Sequence, residues 1–211
     1  MLKLHGLEIS GNTYKAQLLL SFLNIEYQLF PIDIKNKQHK SPEFLRLNPR
    51  GEFPVLEDKE NIIWDSQAIL IYLACAYGDK HWFPDRALEM ATIAQWLSVA
   101  NGDIFNSLAK ARSILKLSYP GDLQDCQLKG KSVLIMIEQH LASRQAKGLD
   151  WIATEMPSIA DIACYPYIAL CEEGSISLNN YKSIHNWMNN IQNMSGYISM
   201  PGITKPSAHE T

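Results

Sequence analysis

The hydrophobic pattern of this chain changes period near residue 77, and that change limits the folds open to it. Up to Tyr77, short runs of period two alternate with runs of period 3.6; beyond it almost every apolar run is helical. Leu2–Leu7 alternates as a strand. Thr13–Asn24 carries Ala16, Leu19, Leu20 and Leu23 at helical spacing, with Asn24 placed to close the helix in the left-handed conformation. Glu26–Ile32 alternates again. Ser41-Pro42 reads as an N-cap followed by proline at the first helical position, opening a brief helix to Leu47. Pro54–Leu56 and Ile62–Trp64, separated by the polar EDKEN, read as a β-hairpin. Ser66 is expected to cap a helix whose Ile69, Leu70, Leu73, Ala74 and Tyr77 share one face.

A right-handed βαβ crossover followed by a helix and a hairpin gives a four-stranded mixed sheet with helices on both faces. GDKHWFPDR, residues 78–86, combines Gly, Pro and charge and reads as a linker. Ala87–Leu117, Leu123–Ala146, Ser158–Cys171 and Tyr181–Met194 are expected to be amphipathic helices, so residues 87–211 form a second, all-α domain beside an α/β domain of residues 1–77. Ser158 and Asp161 have capping-box spacing at the start of the third of these helices. The tail PGITKPSAHET is expected to fray.

Composition excludes several functions. A hydrophobic content of 46% supports a packed core, and a net charge of −3, balanced on both sides of residue 77 with no basic stripe, offers nucleic acid no footprint. The longest apolar-looking stretch, Ile62–Tyr77, is interrupted by Asp65, Ser66 and Gln67 and is too short to span a bilayer. The N-terminus lacks the apolar core and cleavage site of a signal peptide, so a cytoplasmic location is expected. Cys75, Cys126, Cys164 and Cys171 are scattered in apolar helical contexts, which points to buried free thiols and to no metal site.

Pro54 stands near the start of a short buried strand, straight after a Gly-bearing loop, where proline cannot contribute an N–H to a ladder. With SGNTYK (Ser10–Lys15), HKSPEFLRLNPRGEFPVLED (His39–Asp58), Asp65-Ser66, WFPDR (Trp82–Arg86) and SIADI (Ser158–Ile162) in that order, the whole chain resembles the soluble glutathione transferases. The resemblance implies a thioredoxin-like α/β half with a helical second half, usually as a homodimer. It also implies a cis proline at Pro54, leaving the N–H and C=O of Phe53 open to pair with the cysteinyl part of glutathione like an added strand.

The same resemblance assigns the rest of the co-substrate's site. Ser66, at a helix N-terminus, would hold the γ-glutamyl carboxylate and Asp65 its ammonium group. The Ser10 hydroxyl or the Asn12 amide would hydrogen-bond the sulfur, with Thr13 and Tyr14 as alternatives within the same turn. A free thiol has a pKa near about 8.5, so such donors are what make it a thiolate at neutral pH. One residue departs from the pattern. Many relatives carry Gln or Lys where this chain has Glu52, a carboxylate expected near the glycine carboxylate of glutathione, with His39, Lys40 and Arg50 close enough in sequence to offset it.

A small hydrophobic electrophile is expected between the two halves against Asn101–Arg112, where Phe105, Leu108 and Arg112 share a face at helical spacing. The implied reaction is addition of the glutathione thiolate to that electrophile without a metal. Two other readings accompany it: glutathione-dependent disulfide or peroxide reduction, suggested by Ser10-x-Asn12, and a non-catalytic binding module of the stringent-starvation type. No cysteine lies in the turn, which removes the cysteine-nucleophile variants.

Overall fold

The computed structural model describes residues 1–203; the last eight residues of the expected tail, 204–211, lie outside them. The chain opens with β1 (Leu2–Gly6), α1 (Gly11–Phe22), β2 (Tyr27–Pro31), α2 (Pro42–Leu47), β3 (Val55–Asp58), β4 (Asn61–Trp64) and α3 (Ser66–Tyr77). These make a four-stranded sheet of order β2-β1-β3-β4, in which β1 and β2 are parallel and β3 is antiparallel to both β1 and β4. The mixed sheet and its thioredoxin-like arrangement are those expected.

Local chemistry sets the element ends. α1 starts two residues before Thr13 because Ser10 caps it, its hydroxyl oxygen accepting the Thr13 N–H. Asn24 takes φ 54 just past its end. The sheet separates two apolar layers by alternation along β3: Val55 faces Ile32 and Phe44 on one side, while Leu56 joins the main core under α1 and α3 on the other. Pro54 stands one residue outside the ladder, so its missing N–H costs no strand bond.

Beyond residues 78–86 come α4 (Ala87–Val99), α5 (Lys110–Leu117), α6 (Leu123–Gln145), α7 (Ile159–Ala169) and α8 (Lys182–Gln192). The single helix expected over Ala87–Leu117 is instead interrupted by a π-helical stretch, Ala100–Ala109. α7 carries the capping box: the buried Asp161 carboxylate accepts from Ser158 N at 2.9 Å and also from Ile152 N and Trp187 Nε1, both at 2.8 Å. The WFPDR segment joins the halves. Trp82 is buried, stacks on Phe22 of α1, and accepts the Ile159 N–H at the head of α7.

The cysteines correct one expectation. Cys126, Cys164 and Cys171 are buried free thiols, but Cys75 near the end of α3 is exposed. Among the described residues no helix is long and apolar enough to cross a membrane.

Candidate active site

The register of the sheet gathers the candidate residues before any side chain is considered. His5 pairs with Val55 and Val55 with Trp64, while Gly6 pairs with Pro31. The turn after β1, the segment after β2, the segment leading into β3 and the turn after β4 therefore emerge at one end of the sheet. Ser10 and Asn12, His39 and Lys40, Glu52 to Pro54, and Asp65 with Ser66 all lie on those four segments.

In the first turn the four candidate thiol donors separate. Thr13 is fully buried, with its hydroxyl oxygen accepting the Leu7 N–H at 3.2 Å. Tyr14 is buried and donates to the carbonyl of Ile198 at 2.5 Å, and burial raises its phenol far above its ordinary range. Both are committed to structure. Ser10 accepts from Thr13 N at 3.3 Å, and the side-chain oxygen of Asn12 is buried with no hydrogen-bond partner among the described residues. A buried polar atom left unbonded is costly unless something else completes it.

The helical half reaches this turn with two residues. Arg112, buried on α5, donates from Nη1 to the carbonyl of Ile9 at 3.0 Å and from Nε to Glu173 at 2.5 Å. Tyr167, on α7, lies against Gly11 so closely that a Cβ there would sit 2.7 Å from its ring. Gly11 is the residue this approach requires. The ammonium of Lys15 lies 5.5 Å from the centre of the Tyr167 ring. Burial pushes the Tyr167 phenol up to about 12 despite the opposing pull of Arg112. Sequence reading missed Tyr167, whose only signal was a polar-tipped aromatic on an otherwise apolar helix.

The segment entering β3 is held by its own side chains. Asn48 is buried; its amide donates to Glu52 O at 2.7 Å and its oxygen accepts from Arg50 N at 3.0 Å. Gly51 takes φ +58 and packs on the backbone of His39, where a Cβ would be 2.7 Å from the carbonyl oxygen. The Phe53–Pro54 peptide is cis. Among the described residues neither the N–H nor the C=O of Phe53 is hydrogen-bonded. Glu52 is ion-paired with Arg50 at 2.9 Å, and Lys40 donates to Arg50 O at 3.0 Å. The Glu52 charge thus already has a partner.

After β4 the expected cap shifts by one residue. Asp65, not Ser66, caps α3: at φ 76 its Oδ1 accepts from Gln67 N at 2.9 Å and Ala68 N at 3.2 Å. The chain leaves the strand through Asp65, so its side chain is the one that can turn back onto the first free N–H groups. Oδ2 of Asp65 and the main-chain N–H of Ser66 make no hydrogen bond among the described residues. Asp65 and the buried Gln67, whose amide atoms both lack a hydrogen-bond partner among the described residues, open onto a cleft of about 500 Å³ bounded across from α3 by Leu97, Ser98 and Asn101.

The expected electrophile face does not assemble as such. Phe105 is half-buried edge-on to Tyr167, whereas Leu108 is only 1% exposed and Arg112 is in the buried pair with Glu173. The grouping assumed 3.6 residues per turn through a stretch that is π-helical, where the wider turn rotates successive side chains off that face.

Comparison with known proteins agrees with this geometry. Residues 2–75 match the family "Glutathione S-transferase, N-terminal domain". The chain is 26% identical over 191 residues to the disulfide-bond oxidoreductase YfcG of Escherichia coli K12, covering 86% of each. A possible glutathione S-transferase from Rhodopseudomonas palustris superposes with a TM-score of 0.85 at 29% identity, covering 94% of this chain and 97% of that one. A glutathione transferase homologue from Drosophila mojavensis, solved with bound glutathione, superposes with a TM-score of 0.80 at 25% identity over 92% of this chain and 88% of that one.

Proposed function

We propose that this chain, which belongs to the cytosolic glutathione S-transferase superfamily, binds glutathione at the shared end of its sheet and delivers it as a thiolate to an electrophilic small molecule. The observation that carries this reading is the unpaired main chain of Phe53, held at the same end as Ser10 and Asp65. A tripeptide can complete Phe53 as an added strand. Its γ-glutamyl ammonium meets the free Oδ2 of Asp65, and its carboxylate meets the N–H of Ser66 at the positive end of α3.

The sulfur then falls to Ser10 and Asn12 at the N-terminus of α1, where donors and the helix dipole favour the anion. Each tenfold gain in thiolate corresponds to about 1.4 kcal/mol of such stabilisation. The remaining work is to hold an electrophile beside the sulfur. Ile62 and Trp64, exposed on the edge strand β4 with Leu88 and Met90 exposed on α4, supply an apolar surface suited to a second copy of the chain.

Glutathione-dependent disulfide reduction is a second reading, favoured by the Ser10-x-Asn12 turn and by the disulfide-bond oxidoreductase among the relatives. Turnover of a chlorinated nitrobenzene and of a glutathione mixed disulfide, assayed side by side, discriminates the two. Conjugation that falls at least tenfold in Ser10→Ala supports the first reading. Retention on immobilised glutathione with neither activity would leave a binding module.

A further inference from the structure

We infer that Arg112 is a positioning residue for the thiol site: by fixing the carbonyl of Ile9 from the helical half, it sets the orientation of Ser10, the proposed donor to the glutathione sulfur. This rests on the proposed reading that glutathione binds with its sulfur at Ser10. The group concerned is the peptide unit between Ile9 and Ser10. Its N–H closes the turn after β1 by donating to Leu7 O at 3.1 Å, and its C=O accepts from Nη1 of Arg112 at 3.0 Å. Among the described residues Ile9 O has no other donor.

The other hydrogen bonds at Ser10 come from its own segment. Its carbonyl accepts from Tyr14 N at 2.9 Å as the first bond of α1, and its hydroxyl oxygen accepts from Thr13 N at 3.3 Å. The second is longer than the ordinary N–H···O range of about 2.7–3.2 Å, so it holds the side chain loosely. The direction of the Ser10 side chain is therefore set by the peptide plane before it. With the Ile9 carbonyl untied, that plane can tip toward water and carry the hydroxyl off the line to the sulfur. A misplacement of about 1 Å is enough to cost a positioned group much of its effect.

The place of Arg112 is itself over-determined. Its guanidinium is a planar fork that serves two acceptors at once, Nε donating to Glu173 while Nη1 reaches Ile9. Glu173 is also paired with Lys116 at 2.9 Å, and it lies on the short turn Cys171–Gly174. That turn packs on α5 so closely that a Cβ on Gly174 would sit 2.9 Å from the Cβ of Ala111 and 3.1 Å from the N of Arg112.

Position and charge make opposite predictions for Glu173. If the guanidinium favoured the thiolate by charge across a distance, Glu173 would oppose it; if it acts through the Ile9 carbonyl, Glu173 helps it by holding the fork. Tyr167, packed on Gly11, and Lys15, over the Tyr167 ring, are common to both accounts.

The test is the ultraviolet absorbance of glutathione thiolate, titrated against pH in complexes with wild type, Arg112→Met, Glu173→Gln, Ser10→Ala and the double variant of Arg112→Met with Ser10→Ala. Glutathione affinity of wild type and Arg112→Met is measured alongside at pH 6, where the thiol is largely protonated. Arg112→Met should raise the bound thiol's midpoint by about one pH unit, a tenfold loss of thiolate, and leave affinity at pH 6 within about threefold. Glu173→Gln should raise the midpoint by less. The double variant should titrate like Ser10→Ala alone, because Arg112 acts through Ser10. An unchanged midpoint in Arg112→Met, a double variant shifted by the sum of the two single effects, or a midpoint that falls in Glu173→Gln would each overturn the inference. Should Arg112→Met fail to fold, Glu173→Gln decides alone: a raised midpoint supports positioning, and an unchanged or lowered one overturns it. Wild type that takes up no glutathione would overturn the functional reading itself, and this inference with it. Wild type that binds glutathione while Arg112→Met titrates like it overturns the positioning role alone.

Discussion

The guanidinium of Arg112 and the carbonyl of Ile9 are joined by a 3.0 Å hydrogen bond between residues 103 apart in sequence. The residue before Ser10 is therefore held from the helical half, and the same guanidinium is neutralised by Glu173, which also pairs with Lys116 at 2.9 Å. Burial would raise the Glu173 carboxyl, but Lys116 and Arg112 outweigh it and hold it below the usual range.

Replacing Arg112 by Met should cost about 1–3 kcal/mol at neutral pH, since it leaves the largely buried Glu173 carboxylate with only Lys116 of its two ion-pair partners and frees the Ile9 carbonyl. The sign with pH is fixed by the depressed Glu173 value. The pair's contribution is in place above the unfolded glutamate value of about 4.3 and is lost as pH falls through the lower folded value. Urea unfolding of both proteins at pH 7 and in acid checks this; a gap that persists unchanged in acid would show that packing, not charge, is responsible.

Asp65 both caps α3 and faces the cleft. Asp65→Ala should lose about 1 kcal/mol of stability with the cap and more than tenfold in glutathione affinity. Asp65→Asn keeps a capping oxygen, so it should recover most of the stability and little of the affinity. Paired thermal melts and calorimetric titrations separate the two losses, and equal recovery of both would contradict the assignment of Oδ2 to the ligand's ammonium group.

For Glu52, like charges close to the glycine carboxylate would predict tighter binding in Glu52→Gln, but the ion pair with Arg50 changes that expectation. Both side chains are more than half exposed, so the pair contributes little to stability. The dissociation constant should change by less than about threefold in Glu52→Gln. A tenfold tightening, measured by the same calorimetry, would mean that the Arg50 guanidinium does not neutralise it.

Lys15 is 1% exposed, and among the described residues it makes no hydrogen bond or ion pair; its recorded contact is the face of Tyr167. Burial pushes its ammonium down to about 8 against weaker opposing pulls from Cys164 and Asp65. Below that pH the folded protein carries an ammonium removed from water. Between about 8 and the unfolded value near 10.4 the unfolded chain binds more protons, so stability rises with pH. Lys15→Met should be more stable than wild type at pH 7 by roughly 2–3 kcal/mol and flatter between pH 8 and 10. A less stable variant, by chemical denaturation, would show that the ammonium is better solvated than its burial suggests.

Features carried by a few adjacent residues were legible in the sequence, and those made by distant packing were not. The Ser41-Pro42 helix start, the left-handed Asn24 and the Ser158–Asp161 box each depend on local chemistry, and the structure contains each of them. Asp65 and Ser66 are both good caps. Which one serves was decided by the positive φ with which the chain leaves β4, a property residue types alone do not fix. Tyr167 at Gly11 and Arg112 at Ile9 bridge the two halves across more than 100 residues, so no local spacing announces them. Phe105, Leu108 and Arg112 were grouped by an α-helical period that the π-helical stretch does not keep. Cys75 was read as buried from its apolar neighbours, yet it lies on the outer side of the last turn of α3, where Ala76 and Tyr77 are exposed too.

The most direct test of the account is the amide resonance of Phe53 in ¹⁵N-labelled protein titrated with reduced glutathione. A saturable, large downfield shift of the Phe53 N–H, accompanied by the Ser66 N–H with the same dissociation constant, is the predicted result. Saturation of the protein with glutathione while both resonances stay in place would contradict it.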